Sequence, residues 1–354
     1  MSSFHKLSIK NINRETNKSI SIVFDVPNNL KETFLFQAGQ YITLKTQIDG
    51  NEVRRDYSLC SSPKSGELKV AIKEVKDGTF SSYANRSLKV GDILEVASPK
   101  GRFVFTPNDS KTKNIALFAA GSGITPVLSI IKCALEEEVH SKVILVYGNK
   151  TTEDTMFLNE LLELQHKYKE RFSIQFVFSQ RDEDNDSIFG RIEKSTVNYV
   201  IKNKHKHIDV DAYYLCGPEA MIHTVKDVLT EHEVAEDRIH FELFKAAKPA
   251  EVKDSELVTA KGKISITITV DDETTTFEMN PKQTILDAAI DKDLDAPYSC
   301  QGGICSSCLA RVTEGAAKMR QNNILTESEV AEGLILTCQA HPTTTTISVD
   351  YDDV

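Results

Sequence analysis

Four cysteines of this chain have a spacing that suits a metal cluster. Cys300, Cys305 and Cys308 lie within nine residues, and Cys338 follows after a gap of 29 residues. This order, C-x4-C-x2-C and then a distant cysteine, is the plant-type spacing of thiolates that hold a [2Fe–2S] cluster. We expect the tight loop to wrap one iron's side of the cluster and Cys338 to close the other. The sequence therefore predicts an iron–sulfur centre in the last quarter of the chain.

Small residues surround these cysteines. Gly302 and Gly303 lack a Cβ, so their backbone can pass close to inorganic sulfide. Ser306 and Ser307 are short enough for backbone N–H groups to point at the sulfurs, and such hydrogen bonds tune the reduction potential of a cluster. The loop composition therefore agrees with an iron–sulfur site.

Three other uses of the cysteines compete with the cluster. Structural zinc usually requires two C-x2-C-like knuckles, whereas the second half offers Cys338 with only His341 three residues later. A thioredoxin-type C-x-x-C requires a βαβ setting that this segment lacks. Inert buried cysteines rarely lie so close together in sequence. The scattered Cys60 and Cys133, by contrast, are interpreted as small buried hydrophobic residues.

Composition and charge limit the class of protein. The 354 residues are 40% hydrophobic and 27% charged, which is typical of a soluble globular protein with two or three domains. No apolar run approaches the ~18–20 residues of a membrane span. The first residues lack a signal-peptide core, so we expect a cytoplasmic location with reduced thiols. The net charge of −10 argues against a nucleic-acid partner.

The excess acid is concentrated near the cysteines. Residues 262–354 hold 6 Lys and Arg against 15 Asp and Glu, a net charge of −9, whereas residues 1–261 hold 36 against 37. An acidic module on a neutral body could steer a basic partner. Plain solubility explains the same charge equally well.

The chain divides into four regions. Residues 1–108 hold short alternating segments between turn residues, which predict a small barrel or sandwich. Residues 109–245 alternate buried strands with amphipathic helices, as in a doubly wound parallel sheet. Residues 246–261 lack periodicity and predict a linker. Residues 262–354 predict a hairpin, a short helix that Thr284 could cap, the cysteine segment and a last strand.

Several motifs together resemble one family. "PYSCQGGICSSC" with "LTCQAHP" is similar to the plant-type ferredoxin domain, and "RDYSL", "AAGSGITP" and "YYLCGPEAMI" are similar to motifs of the ferredoxin–NADP reductase superfamily. The order of domains is similar to that in the reductases of phenylacetyl-CoA epoxidase and 3-ketosteroid 9α-hydroxylase. The resemblance implies a multidomain α+β and α/β protein with an antiparallel β-barrel flavin domain, a doubly wound nucleotide domain and a β-grasp ferredoxin domain.

The segment "RDYSL" resembles the family's flavin motif. The resemblance implies that Arg55 meets the FAD pyrophosphate, Tyr57 packs on the isoalloxazine and Ser58 binds near N5, with Leu59 ending the motif. A guanidinium can grip phosphate with two hydrogen bonds, and a tyrosine ring suits a planar π-system. Because Arg54 is also basic, the register of the phosphate contact is open.

The next flavin elements follow along the barrel. The resemblance implies that Ala71, Ile72 and Lys73 run past the flavin with backbone contacts. Gly78 and Ser81 match an element that opens a helix beneath the pyrophosphate, where a helix N-terminus can bind an anion.

Two strand–turn–helix segments resemble the nucleotide site. In the first, Gly121 and Gly123 would allow close approach of the phosphates, and Thr125 would lie near the nicotinamide. In the second, Cys216 would position the nicotinamide C4 for hydride transfer without acting as a nucleophile. Their companions in the predicted site are Pro126, Gly217 and Pro218.

The remaining candidates concern the flavin rim and the choice of nucleotide. Glu242 and Phe244 end the nucleotide domain where the family places residues against the flavin. Lys150, Ser179 and Arg181 could hold a 2′-phosphate and favour NADPH. The acidic residues after Arg181 favour NADH, which remains the alternative.

The predicted function is electron transfer. Hydride would pass from NAD(P)H to FAD, and single electrons would then pass to the [2Fe–2S] cluster and out to a partner oxygenase. The resemblance implies a phenylacetyl-CoA epoxidase with a di-iron centre as the partner. Alternatives are a Rieske oxygenase, a desaturase or a hybrid-cluster protein, and, in another class, a cluster-based redox sensor.

Overall fold

The computed structural model describes residues 4–108, 112–180, 187–244 and 263–354. These residues belong to two units, one from Phe4 to Phe244 and one that covers 263–354. The predicted linker 246–261 lies outside the described residues, and the domain boundaries at 108, 245 and 261 remain predictions.

The first unit begins with six antiparallel strands in the order β4-β3-β6-β1-β2-β5. The strands are β1 (His5–Thr16), β2 (Ser19–Asp25), β3 (Tyr41–Ile48), β4 (Asn51–Ser58), β5 (Leu68–Lys73) and β6 (Ile93–Val96). Beyond β4 the chain pairs with β5, through a bridge between Leu59 and Val70, and this bridge closes the sheet. Helix α1 (Thr79–Arg86) follows β5 and buries Phe80 and Ala84 against the barrel core. The predicted barrel is confirmed.

The second half of this unit is a parallel sheet in the order β10-β9-β8-β7-β11-β12. Its strands are β7 (Ile115–Ala120), β8 (Val143–Asn149), β9 (Phe172–Phe178), β10 (Ile188–Phe189), β11 (Ala212–Gly217) and β12 (Ile239–Leu243). Its helices are α2 (Ile124–Glu137), α3 (Leu158–Lys167), α4 (Lys194–Asn198), continued by a π-helical turn (Tyr199–Lys204), and α5 (Glu219–Glu231). Strands β7 and β8 are almost continuously buried, as expected when helices cover both faces.

The strand order reverses beside β7. From β7 the chain moves outward through β8 and β9, and it then returns to β11 on the other side of β7. Open parallel sheets bind ligands at the carboxyl ends of the strands where the order reverses. This strand order therefore predicts a ligand crevice outside the ends of β7 and β11.

The unit at 263–354 is built on a five-stranded mixed sheet in the order β14-β13-β19-β15-β17. The strands are β13 (Ile264–Val270), β14 (Glu273–Met279), β15 (Leu309–Glu314), β17 (Leu334–Leu336) and β19 (Thr346–Asp350), with β16 (Ala317–Met319) and β18 (Ala340–Pro342) as a separate pair. Its helices are α6 (Ile285–Ile290) and α7 (Glu327–Ala331). The Thr284 hydroxyl accepts a hydrogen bond from the Asp287 N–H, which confirms the predicted cap of α6.

The short turns and the hydropathy of the helices complete the fold. Single turns of 3-10 helix occur at Asn28–Leu30, Pro63–Ser65, Gly121–Gly123 and Glu236–Arg238. Among the helices of the described ranges, none has both the length and the apolar character that would let it cross a membrane.

Candidate functional site

Two loops in direct contact lie where a crevice is predicted beside β7. Strands β7 and β11 are neighbours, with Ala119 paired to Cys216. A Cβ on Gly123 would lie 2.1 Å from the Cys216 carbonyl oxygen, although Gly123 has an ordinary φ of −60°. Only glycine therefore permits this approach, and the contact brings the two predicted nucleotide loops together.

The first loop is stabilised by hydrogen bonds at both ends. The Tyr147 hydroxyl donates to the Gly121 carbonyl over 3.0 Å, and the Thr125 hydroxyl donates to the Ser122 carbonyl over 3.0 Å. Gly121 has a φ of +55°, which glycine tolerates without strain. The Lys73 ammonium of β5 lies 3.8 Å from where a Gly121 Cβ would be, so the barrel side contributes a cation to the loop. Burial lowers the pKa of Lys73.

Tyr147 is a residue of this loop region that the sequence motifs did not predict. It is fully buried and is the one aromatic residue of β8. A buried tyrosine normally needs a hydrogen-bond partner, and here the acceptor is the Gly121 carbonyl of the first loop. In the sequence, the one sign of this role was a single aromatic residue in that strand.

The second loop is tightly packed as well. A Cβ on Gly217 would lie 2.8 Å from the Met221 methyl and 3.1 Å from the Ala120 N–H nitrogen. Pro218 occupies the N-cap of α5, and Pro126 is buried in the first turn of α2. The predicted glycines and prolines of the two loops thus lie around one crevice.

The two adjacent arginines of strand β4 point to opposite faces of the strand. Arg55 and Tyr57 are two residues apart, so they share one face, and Arg54 lies on the other. Arg54 forms an ion pair with Glu52 over 2.7 Å and lies 5.1 Å from the Phe4 ring. This geometry favours Arg55 for the predicted phosphate contact.

The Tyr57 ring has a partner and an open side. It lies 5.5 Å from the Phe80 ring at an interplanar angle of 39°, and it stays partly exposed. Burial of the hydroxyl raises the pKa of Tyr57 above its ordinary value, so the phenol stays neutral. The exposed ring surface beside Arg55 fits the planar ring and phosphates of a flavin dinucleotide.

The other predicted flavin residues lie on adjacent elements. Leu59, Ala71 and Ile72 are buried in the barrel wall. The Ser81 hydroxyl lies inside the first turn of α1, where it accepts from the Val75 N–H over 3.3 Å. Gly78 is the N-cap of that helix, and a Cβ there would lie 2.4 Å from the Ser81 oxygen.

A serine, a glutamate and a cysteine meet where the barrel joins the parallel sheet. The Ser58 hydroxyl donates to Glu242 Oε2 over 3.3 Å, and Glu242 pairs with Cys216 across β12 and β11. Burial raises the pKa of Glu242 to about 8, while the Ser58 hydrogen bond opposes the rise. Burial, followed by the nearby Glu242, raises the pKa of Cys216. The raised pKa keeps the Cys216 thiol protonated, as expected for a cysteine that does not act as a nucleophile.

The residues predicted to choose the nucleotide lie farther along the sheet. Backbone hydrogen bonds join the ends of β8 and β9, from Ser179 N–H to the Asn149 carbonyl and from Gln180 N–H to the Lys150 carbonyl, each over 3.0 Å. Lys150 and Ser179 are thus neighbours, whereas Arg181 lies outside the described residues. Phe244 is 36% exposed after β12.

The four clustered cysteines form two pairs. Cys305 donates to Cys300 with a sulfur–sulfur distance of 3.1 Å, and Cys308 donates to Cys338. The arrangement is two plus two, not the three plus one that we expected. Each pair can supply two thiolates to one iron of a two-iron cluster. Within the described ranges, no group of three or more His, Cys, Asp or Glu side chains has a geometry that could hold a single metal ion.

Backbone donors surround the acceptor sulfur in each pair. The hydrogen bond from Cys305 is the main cause that lowers the pKa of Cys300 to about 6, and N–H groups of Gly302, Ile304 and Cys305 add to it. The Cys308 hydrogen bond similarly lowers the pKa of Cys338. Amide donors around paired thiolates are the surroundings that an anionic iron–sulfur cluster requires, so the residues fit this group.

Gly303 sets the shape of the cysteine loop. Its φ is +70°, and a Cβ there would lie 2.9 Å from the Gln321 carbonyl oxygen. The loop therefore needs glycine both for its conformation and for its close contact with the segment after β16.

Three family models match successive parts of the chain. An oxidoreductase FAD-binding domain matches residues 6–105, an oxidoreductase NAD-binding domain residues 117–227, and a 2Fe-2S iron-sulfur cluster binding domain residues 268–343. These matches follow the order of the barrel, the parallel sheet and the cysteine-containing unit.

Curated proteins match over nearly the full length. A component of the 1,2-phenylacetyl-CoA epoxidase of Escherichia coli (strain K12) is 36% identical over 99% of both chains. The ferredoxin reductase component of 3-ketosteroid-9-alpha-monooxygenase from Rhodococcus rhodochrous is 33% identical over 98% of this chain and 96% of that protein. Among solved structures, phthalate dioxygenase reductase matches 98% of both chains with a TM-score of 0.60 and 24% identity, which supports the fold.

Proposed function

This chain belongs to the reductase components of multicomponent oxygenases that join FAD-binding, NAD-binding and [2Fe–2S] domains, and from that premise we propose its partner and the roles of its residues. It is an oxidoreductase that passes electrons from a pyridine nucleotide through FAD and a [2Fe–2S] cluster to an oxygenase. The partner we propose is a phenylacetyl-CoA epoxidase with a di-iron centre. The observation that carries this choice is 36% identity to a component of the Escherichia coli epoxidase across 99% of both chains.

The cofactors supply the electron chemistry. When bound, FAD accepts hydride and releases single electrons, which the [2Fe–2S] cluster relays. The chain supplies binding, orientation and a suitable electrostatic environment. Each of these contributions can be assigned to particular residues.

The nicotinamide would bind in the crevice between β7 and β11. The contact between Gly123 and the Cys216 carbonyl keeps the floor of this crevice narrow. Thr125, in the first turn of α2, and Cys216, near the end of β11, are both buried beside this contact, where they can orient the ring that donates hydride. The neutral Cys216 thiol adds no charge that would oppose hydride departure.

The barrel side would bind the flavin. Arg55 would contact the pyrophosphate and Tyr57 would lie against the ring system, because both project from the same face of β4. Ser58 would face the reactive edge of the ring, with its hydroxyl directed by Glu242. Because the pKa of Glu242 is raised to about 8, its carboxyl group is mostly neutral at pH 7.

NADPH is the proposed electron donor. Lys150 and Ser179 lie side by side at the ends of β8 and β9, where one cation and one hydroxyl can bind a 2′-phosphate. We place the protein in the cytoplasm, where cysteines such as the seven free ones of this chain stay reduced.

The proposal is tested by spectroscopy and reconstitution of the full-length protein. We expect flavin and iron–sulfur bands that NADPH bleaches, and NADPH-dependent conversion of phenylacetyl-CoA when the epoxidase components are added. Cys338→Ser should lose the iron–sulfur bands and the conversion but keep flavin bleaching. Cys133→Ser, which changes a buried cysteine elsewhere, should keep all three signals.

The outcomes separate the parts of the proposal. Without flavin bands, the assigned roles of the barrel residues would be wrong. Bleaching by NADPH without epoxidase turnover would leave the reductase assignment standing and reject the proposed partner.

A further inference from the structure

A buried chain of hydroxyl groups leads to one of the cysteine pairs. The Tyr351 hydroxyl donates to the Thr337 hydroxyl over 2.9 Å, and the Thr337 hydroxyl donates to the Cys308 carbonyl over 3.0 Å. The Thr337 N–H donates to the same carbonyl over 3.1 Å. Tyr351 and Thr337 are almost completely buried, so the hydroxyl chain is shielded from competing water.

This chain joins two parts of the unit that are distant in sequence. Cys308 immediately precedes β15, while Thr337 immediately follows β17 and precedes Cys338. The double hydrogen bond to the Cys308 carbonyl therefore holds the backbones that carry the two paired sulfurs. Tyr351 follows β19, and its own N–H is bound to the Thr269 carbonyl over 3.0 Å, which anchors the outer end.

We propose that Tyr351 is a positioning residue for the iron–sulfur centre, which acts through Thr337 to hold Cys308 beside Cys338. This inference rests on the proposed assignment of these cysteines as cluster ligands. Partners outside the ligand set commonly set the orientation of ligands and the affinity of a metal site. Here the outer partner is a tyrosine hydroxyl that touches no sulfur directly.

Electrostatics predicts how loss of the Tyr351 hydroxyl would change the reduction potential of the cluster. Each hydrogen bond points its positive end towards the Cys308 carbonyl, and successive hydrogen bonds polarise one another in a buried site. Burial raises the pKa of Tyr351, and the nearby Cys308 and Cys338 raise it further, so the hydroxyl keeps its proton. Removing that hydroxyl leaves a lone pair of Thr337 unpaired near the sulfurs. The added negative potential should make the centre harder to reduce.

The test compares Tyr351→Phe and Thr337→Val with the wild-type full-length protein. We expect both variants to contain iron and sulfide, to have a lower cluster reduction potential in EPR-monitored titration, and to lose the cluster faster to a chelator. The release rate should rise roughly tenfold for Thr337→Val and about threefold for Tyr351→Phe. Thr337→Ser, which keeps the hydroxyl, should restore both values.

The double variant tests whether Tyr351 acts through Thr337. In the Thr337→Val background, Tyr351→Phe should cause no further change in potential or release rate, because the connection is already broken. Additive shifts would overturn the proposed route.

Val349→Ala distinguishes positioning from general destabilisation. This buried residue of β19 lies two positions from Tyr351 and contributes no hydrogen bond from its side chain. It should lower the Tm while leaving the potential at the wild-type value. If Tyr351→Phe lowers the Tm and leaves potential and release rate unchanged, the inference is wrong. A wild-type protein without iron and sulfide would instead reject the cysteine assignment.

Discussion

Glu242 carries a carboxyl group whose pKa burial raises to about 8, and it lies where the barrel meets the parallel sheet. Its hydrogen bond from Ser58 and its pairing with Cys216 connect the two proposed cofactor sites. A group with a raised pKa is protonated below that pKa and ionises as the pH rises through it. The charge at this site therefore changes just above neutral pH.

A pH profile tests this residue. In the wild type, the rate of flavin bleaching by NADPH should fall roughly fivefold as the pH rises through about 8, equivalent to ~1 kcal/mol of barrier, because an ionised Glu242 opposes incoming negative charge. Stopped-flow measurement of Glu242→Gln should give a flat profile over the same range.

Glu231→Gln is the matched control, since Glu231 is exposed on α5. It should keep the wild-type profile. An equally steep profile in Glu242→Gln would show that another group governs the rate.

The sequence was enough to propose which cysteines bind the cluster, but not which of them lie beside each other. The spacing of Cys300, Cys305 and Cys308 is local information, and it singled out these sulfurs for a cluster. Which sulfur lies beside which depends on how β17 returns next to β15, which is a long-range property. For the same reason the sequence did not point to Tyr351, whose contact with Thr337 depends on the path of β19.

Two loops, one after β7 and one after β11, form the element that we propose binds the nucleotide. The loops touch at Gly123, where the φ of −60° suits any residue. Glycine is needed there because a Cβ would lie 2.1 Å from the Cys216 carbonyl oxygen. A backbone carbonyl cannot rotate away as a side chain can. A methyl group at this position would therefore force the whole loop to move.

Gly123→Ala should raise the KM for NADPH at least tenfold and lower stability by roughly 1–3 kcal/mol, because overpacking forces backbone movement. Steady-state kinetics and thermal unfolding would measure the two effects. Gly66→Ala is the control, since its φ is +69° but its Cβ would meet nothing. It should cost ~1 kcal/mol from strain and leave the KM unchanged. A wild-type KM in Gly123→Ala would contradict the assigned crevice.

The adjacent ends of β8 and β9 allow a separate test of nucleotide choice. Lys150→Ala and Ser179→Ala should each raise the KM for NADPH roughly tenfold, because each removes a hydrogen bond to a charged phosphate worth ~1.5 kcal/mol. The KM for NADH should stay unchanged in both, as measured in the same assay. Equal losses with both nucleotides would indicate a general phosphate contact instead.

Element types were predictable where periodicity was strong. The continuous apolar runs of β7 and β8 and the amphipathic pattern of α2 predicted their places correctly. The two-residue strand β10 and the π-helical turn at Tyr199–Lys204 were not predicted. Strands this short have no period to detect, and a π-helical turn differs from an α-helix by hydrogen-bond geometry alone.

Charge is unevenly distributed over the whole molecule, with a net −9 in residues 262–354 out of −10 in total. A strongly charged unit attracts an oppositely charged surface over about 10 Å at 0.1 M salt, and added salt screens this attraction. The acidic unit is also the one that contains the proposed exit centre for electrons. Its charge should therefore affect the rate at which the oxygenase receives electrons.

Electron delivery to the oxygenase should slow at least tenfold between about 0.05 and 0.5 M NaCl, as measured by NADPH-driven reduction of the oxygenase at limiting concentrations. Bleaching of the protein's own flavin at saturating NADPH is the control and should be insensitive to salt. Salt-independent delivery would mean that the acidic residues serve solubility alone.

Each unit has a hydrophobic core of its own. The core of the cysteine-containing unit uses residues between Ile264 and Tyr351, whereas the barrel and the parallel sheet form theirs from residues before them. A recombination event that replaces the last quarter of the gene would therefore leave the earlier cores intact. Related proteins could therefore keep the same barrel and parallel sheet and acquire a different C-terminal unit for a new electron acceptor, without loss of the earlier hydrophobic cores.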